Sequence, residues 1–187
     1  MTPTKTIVQV DFNPPAGKRL AVEVMSIKDL KSRASQDHFT RLQRADFYRL
    51  FGVFSGSTCP MIDFSHHQAQ AGDWILVRPG QVMRYDFSRP WTGGLLVFRP
   101  DALFGHTPQS RVDEPGLIQY VEDLASKRSL DAEQHQWMRQ SLSQMQQDST
   151  RVLNPALRNE ILRTQLTSTL LRLSLWQSLD AGTPPGE

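Results

Sequence analysis

Cysteine is nearly absent from this chain: Cys59 is the only one among 187 residues. No intrachain disulfide can form, and a reducing cytoplasm is the natural setting. Long apolar runs are missing too. No stretch approaches the roughly 18 consecutive apolar residues of a membrane span, so no membrane partner is expected. The opening residues, MTPTKTIVQVDF, hold no apolar run of the secretory kind. Charge of one sign is scarce. The formal net charge is +2, and lysine and arginine are spread along the chain, which is too mild for a nucleic-acid surface. Gly-x-Ser-x-Gly, His-Glu-x-x-His and glycine-rich phosphate loops are all lacking. The five histidines are scattered apart from the neighbours His66 and His67. Neighbours on a strand point to opposite faces, so this pair does not easily share a metal. No catalytic residue, metal or cofactor is expected.

What is present is a succession of short strands. Residues 6–10 allow a short strand within a polar arm, and residues 20–27 alternate apolar and polar. Residues 28–36 form a charged connection. Residues 47–54 are aromatic and β-branched and run into Ser55-Gly56-Ser57, a turn signal. Residues 61–64 follow as a strand, then Ala71-Gly72-Asp73 as a turn, residues 74–77 as an apolar strand, and Pro79-Gly80 as a turn into residues 82–87. Residues 93–98 are a further apolar strand. Strands at roughly ten-residue spacing suggest a barrel or sandwich. After Arg99-Pro100 the period changes to helical. Asp113-Glu114-Pro115 reads as a helix start. Asp131 to Gln134 reads as a capping box, and Asn154-Pro155 opens a long helix.

The ordered set of these segments resembles the sensor half of AraC-family transcription regulators. Arg44-Ala45-Asp46-Phe47-Tyr48, Ser55-Gly56-Ser57, Ala71-Gly72-Asp73, Arg78-Pro79-Gly80-Gln81-Val82 and residues 96–101 carry the likeness. The resemblance implies a mainly β fold with C-terminal helices, a cupin-like double-stranded β-helix or jelly-roll barrel followed by a helical dimerisation segment. It divides the chain into an arm (1–19), an effector-binding barrel (20–112), a dimerisation segment (113–179) and the start of a linker (180–187). It implies a small-molecule effector, a homodimer, and DNA contact only through a C-terminal helix-turn-helix domain that nothing here resembles. Metal-dependent cupins place histidines at positions that fall here at Gln43, Ala45 and Met83. A metal-dependent isomerase or oxygenase, the alternative reading, lacks its ligands.

The same resemblance points to Arg41 and Tyr85 as polar effector contacts. Arginine offers a fork of N–H donors and tyrosine a polar tip. Phe54, Trp91, Leu95 and Val97 complete a more apolar pocket than a sugar requires, so an aromatic or fatty molecule is expected at least as much. On the last helix, Leu157, Ile161, Leu166, Leu170 and Leu173 form an apolar strip wider than one seam needs. It leaves material for a two-fold partner.

Overall fold

The computed structural model describes residues 6–12, 20–104, 116–152 and 154–182. Two sheets face one another. Strand β1 (Val8–Val10) runs parallel to β3 (Gln43–Ala45), and β2 (Val22–Ser26) lies at the edge of the second sheet. Between them are two short helices, α1 (Ile27–Arg33) and α2 (Gln36–Thr40). The charged connection is thus helical. Ser26 caps α1 by accepting from the Asp29 N–H, and the Asp29 carboxylate accepts from the Ser26 N–H in return.

The long central strand β4 (Tyr48–Thr58) is followed by β5 (Met61–Ile62), β6 (Ser65–His66), β7 (Ala69–Gln70), β8 (Asp73–Val77), β9 (Val82–Arg84) and β10 (Trp91–Phe98). Strand β11 (Lys127–Ser129) comes later in the chain. One sheet has the order β1-β3-β9-β5-β6. The other has β11-β8-β4-β10-β2, with β7 also paired to β4. The result is the mainly β, cupin-like jelly roll with C-terminal helices that the sequence suggests, although its two hydrogen-bonded ladders remain separate.

Strand β4 departs from expectation at its end. Ser55-Gly56-Ser57 is not a turn. The strand runs through it to Thr58, with Gly56 at φ +77 opposite Trp91, close to a register shift between Thr92 and Gly93. A Cβ at Gly56 would stand 2.4 Å from the Pro90 carbonyl oxygen, so only glycine fits this bulge. The hairpin turn comes later, at Asp63 and Phe64, both with positive φ between β5 and β6.

Through Val53, strand β4 is buried on both faces, which explains the near-continuous apolar sequence of that part. Phe47, Phe51 and Val53 point between the sheets with Ile75, Val77, Met83, Tyr85, Leu95 and Val97. Tyr48, Leu50, Trp74, Leu76, Leu96 and Phe98 point the other way, toward the helices. Those helices are α3 (Leu117–Glu122), α4 (Ala132–Arg151) and α5 (Pro155–Gly182). The expected start at Asp113-Glu114-Pro115 lies outside the described residues. The capping box at Asp131 and Gln134 is formed, and Asn154 accepts from the backbone N–H groups of Ala156 and Leu157. Helix α5 continues through Asp180 and Ala181, residues expected to open the linker.

The string Arg78-Pro79-Gly80-Gln81 joins barrel to helices. The Arg78 guanidinium donates to the carbonyls of Val121, Glu122 and Leu124, the end of α3, and ion-pairs with Glu122 at 3.3 Å. Positive charge at a helix C-terminus is favourable. Gln81 accepts from the Arg78 N–H and donates to Asp63.

Candidate functional site

The space between the sheets holds a cavity of about 180 Å³. Its apolar wall includes Met25, Leu30, Phe47, Leu95 and Val97, and its polar groups come from His38, Gln43, Arg49 and Tyr85. The arm residues Asp11 and Phe12 form its rim with Glu23 and Arg33. A larger recess of about 790 Å³ opens beyond Tyr85, lined by Phe39, Cys59, His66, Asp86 and Phe87 among others. Tyr85 borders both. Around it, Phe39, Phe87 and Trp91 form an aromatic wall, with Phe87 stacked on Trp91 at 5.6 Å and on Tyr85 at 5.8 Å. The Trp91 indole N–H donates to the Asp86 carbonyl.

Arg49 is the unexpected member. It occupies an inward position of β4 between Phe47 and Phe51, and only 3 % of it is exposed. Its guanidinium lies 5.0 Å from the centre of the Phe47 ring. Among the described residues no carboxylate ion-pairs with it: Glu23 on the rim is taken by Arg33 at 2.5 Å, and Asp11 is on the exposed face of the arm. Burial lowers the Arg49 pKa, yet an arginine remains protonated in any protein setting. Burial, with the Arg49 charge, also lowers His38, so its imidazole is neutral at pH 7. Burial raises the Tyr85 phenol, against the pull of Arg49, so it is a neutral donor. Among the described residues, the buried part of the cavity therefore presents the Arg49 charge and several neutral polar groups within apolar walls.

The structure brings together some of the expected site residues and separates others. Tyr85, Leu95 and Val97 line the inner cavity, and buried Trp91 packs in the same core. Arg41 does not join them. It follows α2, its side chain is 62 % exposed, and it reaches Asp37 at 3.8 Å across a shallow surface recess. Phe54 lies on the opposite face of β4, near Trp74 and His135, beside a groove under α4. Strand parity excludes it from the interior. Gln43, Ala45 and Met83 are all buried between the sheets, with Gln43 opposite Met83. Among the described residues no three His, Cys, Asp or Glu side chains converge to hold a metal ion.

The expected dimerisation strip divides in the same way. Leu166, Leu170 and Leu173 are fully buried in the chain's own core, with Leu162. Each contributes about 1.5–3 kcal/mol there and is not available to a partner. Leu157 is exposed and Ile161 half-buried. The exposed face carries instead Leu171, Leu175 and Leu179, at 42 %, 49 % and 59 % exposure. Positions 157, 161, 164, 168, 171 and 175 alternate steps of four and three, the spacing of a coiled-coil seam, with Thr164 and Ser168 at its centre.

A jelly roll of this kind, with a polar cluster inside apolar walls and a helical layer on one sheet, defines a cupin-like ligand-binding domain. The family model for the AraC-like ligand binding domain matches residues 30–166, and the chain belongs to that family. Solved structures give weaker likenesses. Apo ToxT from Vibrio cholerae, in a variant form, is 9% identical over 83% of this chain and 56% of its own, with a TM-score of 0.47. The AraC-like transcriptional activator CuxR is 11% identical over 76% of this chain and 45% of its own, with a TM-score of 0.40. A cupin protein from Bacteroides fragilis is 26% identical over 38% of this chain and 63% of its own, with a TM-score of 0.28. The chain spans about half the length of the two regulators. No curated protein matches it. No helix among the described residues is long and apolar enough to cross a membrane.

Proposed function

We propose that this chain is the effector-sensing and dimerisation part of a transcription regulator. A small organic molecule enters the cavity between the sheets and controls how an attached DNA-binding domain is presented. The observation that carries the reading is the cavity itself. In a domain of the AraC-like ligand-binding family, buried Arg49 and Tyr85 share one small space with Leu95 and Val97, and arm residues form its rim. Arg49 replaces Arg41 as the arginine of the site.

Dimerisation is assigned to the seam of α5, from Leu157 and Ile161 through Leu171 and Leu175. A helix that buries Leu162, Leu166, Leu170 and Leu173 on one side and keeps leucines exposed on the other has a face left for a second copy. A two-fold pair would bring identical seams together.

Thermal unfolding against a panel of sugars, aromatic acids and fatty acids tests the sensor role. A molecule that binds only the folded chain raises its stability by RT ln(1 + [L]/Kd). A rise with one organic class that disappears in Leu95→Trp, which fills the cavity, supports the reading. A rise that Leu95→Trp leaves intact places binding elsewhere and refutes the site.

A further inference from the structure

We infer that the molecule taken into this cavity is a small organic carboxylate, and that Arg49 is its charge partner. The inference rests on the effector reading above and adds the chemical class of the ligand. An arginine residue with only 3 % of its surface exposed and no carboxylate partner is rare, because a charge taken largely out of water needs a counter-charge or a full set of acceptors. Here neither a hydrogen bond nor an ion pair joins the guanidinium to a described residue, and it lies 5.0 Å from the centre of the Phe47 ring. The groups facing it are His38, Gln43 and Tyr85, with Asp11, Glu23 and Arg33 at the rim. Glu23 is engaged by Arg33, Gln43 donates to the His38 carbonyl, and Tyr85 offers a neutral hydroxyl. None of them balances the charge, and the cavity is the direction from which a partner can come.

A carboxylate fits this cavity in two ways. Its two oxygens match the fork of arginine N–H donors, and its remaining lone pairs can accept from the Tyr85 hydroxyl. Its organic body would lie against Met25, Leu30, Leu95 and Val97. Size limits that body. A cavity of about 150 Å³ holds one benzene ring, so about 180 Å³ suits an aryl carboxylate or a short alkyl one.

The test compares matched pairs that differ in charge and little else: benzoate with benzamide, and hexanoate with hexanamide. Binding to the full 187-residue chain is measured by calorimetry. The carboxylate of at least one pair is expected to bind about tenfold or more tightly than its amide, which is about 1.4 kcal/mol. Arg49→Met should bring the two within about twofold of each other. Arg49→Lys should keep a preference for the anion, which guards against a variant that simply misfolds, and Arg41→Ala should leave the ratio unchanged. Equal affinity within each pair, a preference that survives Arg49→Met, or failure of both carboxylates to bind overturns the inference. The two readings fail separately. If a neutral compound binds in the cavity and carboxylates gain nothing, the anion is wrong and the effector site stands. If no small molecule of any class protects the chain, the effector site falls as well.

Discussion

Arg49→Met should make the unliganded protein more stable. The argument is one of opposing terms. The wild-type side chain holds a desolvated positive charge at 3 % exposure with no described counter-ion. Replacing buried charged groups by apolar ones of similar volume gains about 1–4 kcal/mol in favourable cases. Against this stands the loss of the contact to Phe47, where the guanidinium sits 5.0 Å from the ring centre. A desolvated cation–π contact contributes up to about 2 kcal/mol. Methionine is unbranched and flexible, so it can follow the path of the arginine stem between Phe47 and Phe51. The net expectation is a gain of about 1–2 kcal/mol. For a chain of this length each kcal/mol moves the melting temperature by about 2–4 °C, so the rise should be a few degrees. Urea unfolding with tryptophan fluorescence gives the same quantity independently, provided the denaturant slope is unchanged. A loss of more than about 1 kcal/mol would show that the guanidinium already has a strong native partner. The picture of an unbalanced charge awaiting a ligand would then be wrong.

Three other perturbations reach separate parts of the molecule. Leu171→Asp together with Leu175→Asp should convert a dimer to monomers in sedimentation velocity without loss of helical circular dichroism, whereas Leu170→Asp should unfold the chain, because Leu170 is fully buried. Asp73 resists its own burial through hydrogen bonds from Ser129, the Gln70 N–H and Lys127, which hold its carboxyl below the ordinary 3.8. A lowered folded value adds stability that is present above that ordinary value and lost as pH falls through the folded one. Asp73→Asn should therefore lower stability at pH 7, by about 1–3 kcal/mol, and flatten the acid limb of the pH–stability profile. Arg78→Met should cost about 2–3 kcal/mol in chemical denaturation by releasing the end of α3, where Arg78 serves three carbonyls.

The overall architecture was legible because it rests on short-range signals. The capping box at Asp131, the Asn154-Pro155 start and the turns around β8 depend on a few neighbouring residues. What was hidden depends on pairing. Strand β11 is Lys-Arg-Ser, with no apolar pattern, and is a strand only because it lies against β8. Ser55-Gly56-Ser57 has turn composition, yet partners on both sides keep it extended. The site shows both cases. Parity along β4 was available from the sequence: with Phe47, Phe51 and Val53 inward, Arg49 must be inward and Phe54 outward. A charge at an inward position of an otherwise apolar strand was the signal that could have found Arg49. Arg41 gave no such signal, because it follows a helix whose ending fixes its direction. On α5, the leucines at 166, 170 and 173 and those at 171, 175 and 179 are indistinguishable by composition. Only the position of the barrel decides which set is core.

The arm is one element to which a ligand at Arg49 could speak, because Val10, Asp11 and Phe12 line the same cavity. Phe47 sits between them: Arg49 lies over its ring, and Phe12 packs edge-on against it at 5.6 Å. Phe12 is in turn approached by Arg99 at 5.9 Å, and β1 is held by β3 and by the Val8 N–H donated to the Leu42 carbonyl at 2.8 Å. An anion that draws the guanidinium off Phe47 changes the surface on which Phe12 rests. A ligand shifts an equilibrium only by its difference in affinity between two states, so the seat of the arm must differ with and without it. Amide hydrogen exchange of residues 8–12 should then change when a carboxylate binds, and Phe12→Ala should remove most of that change while leaving affinity within about threefold. The affinity clause separates coupling from binding, since Phe12 is at the rim and Arg49 inside. If exchange in the arm responds equally with and without the Phe12 ring, the path does not run through Phe47. If it does not respond in either protein, the arm is a fixed edge strand and the signal must leave through the helical face of β4.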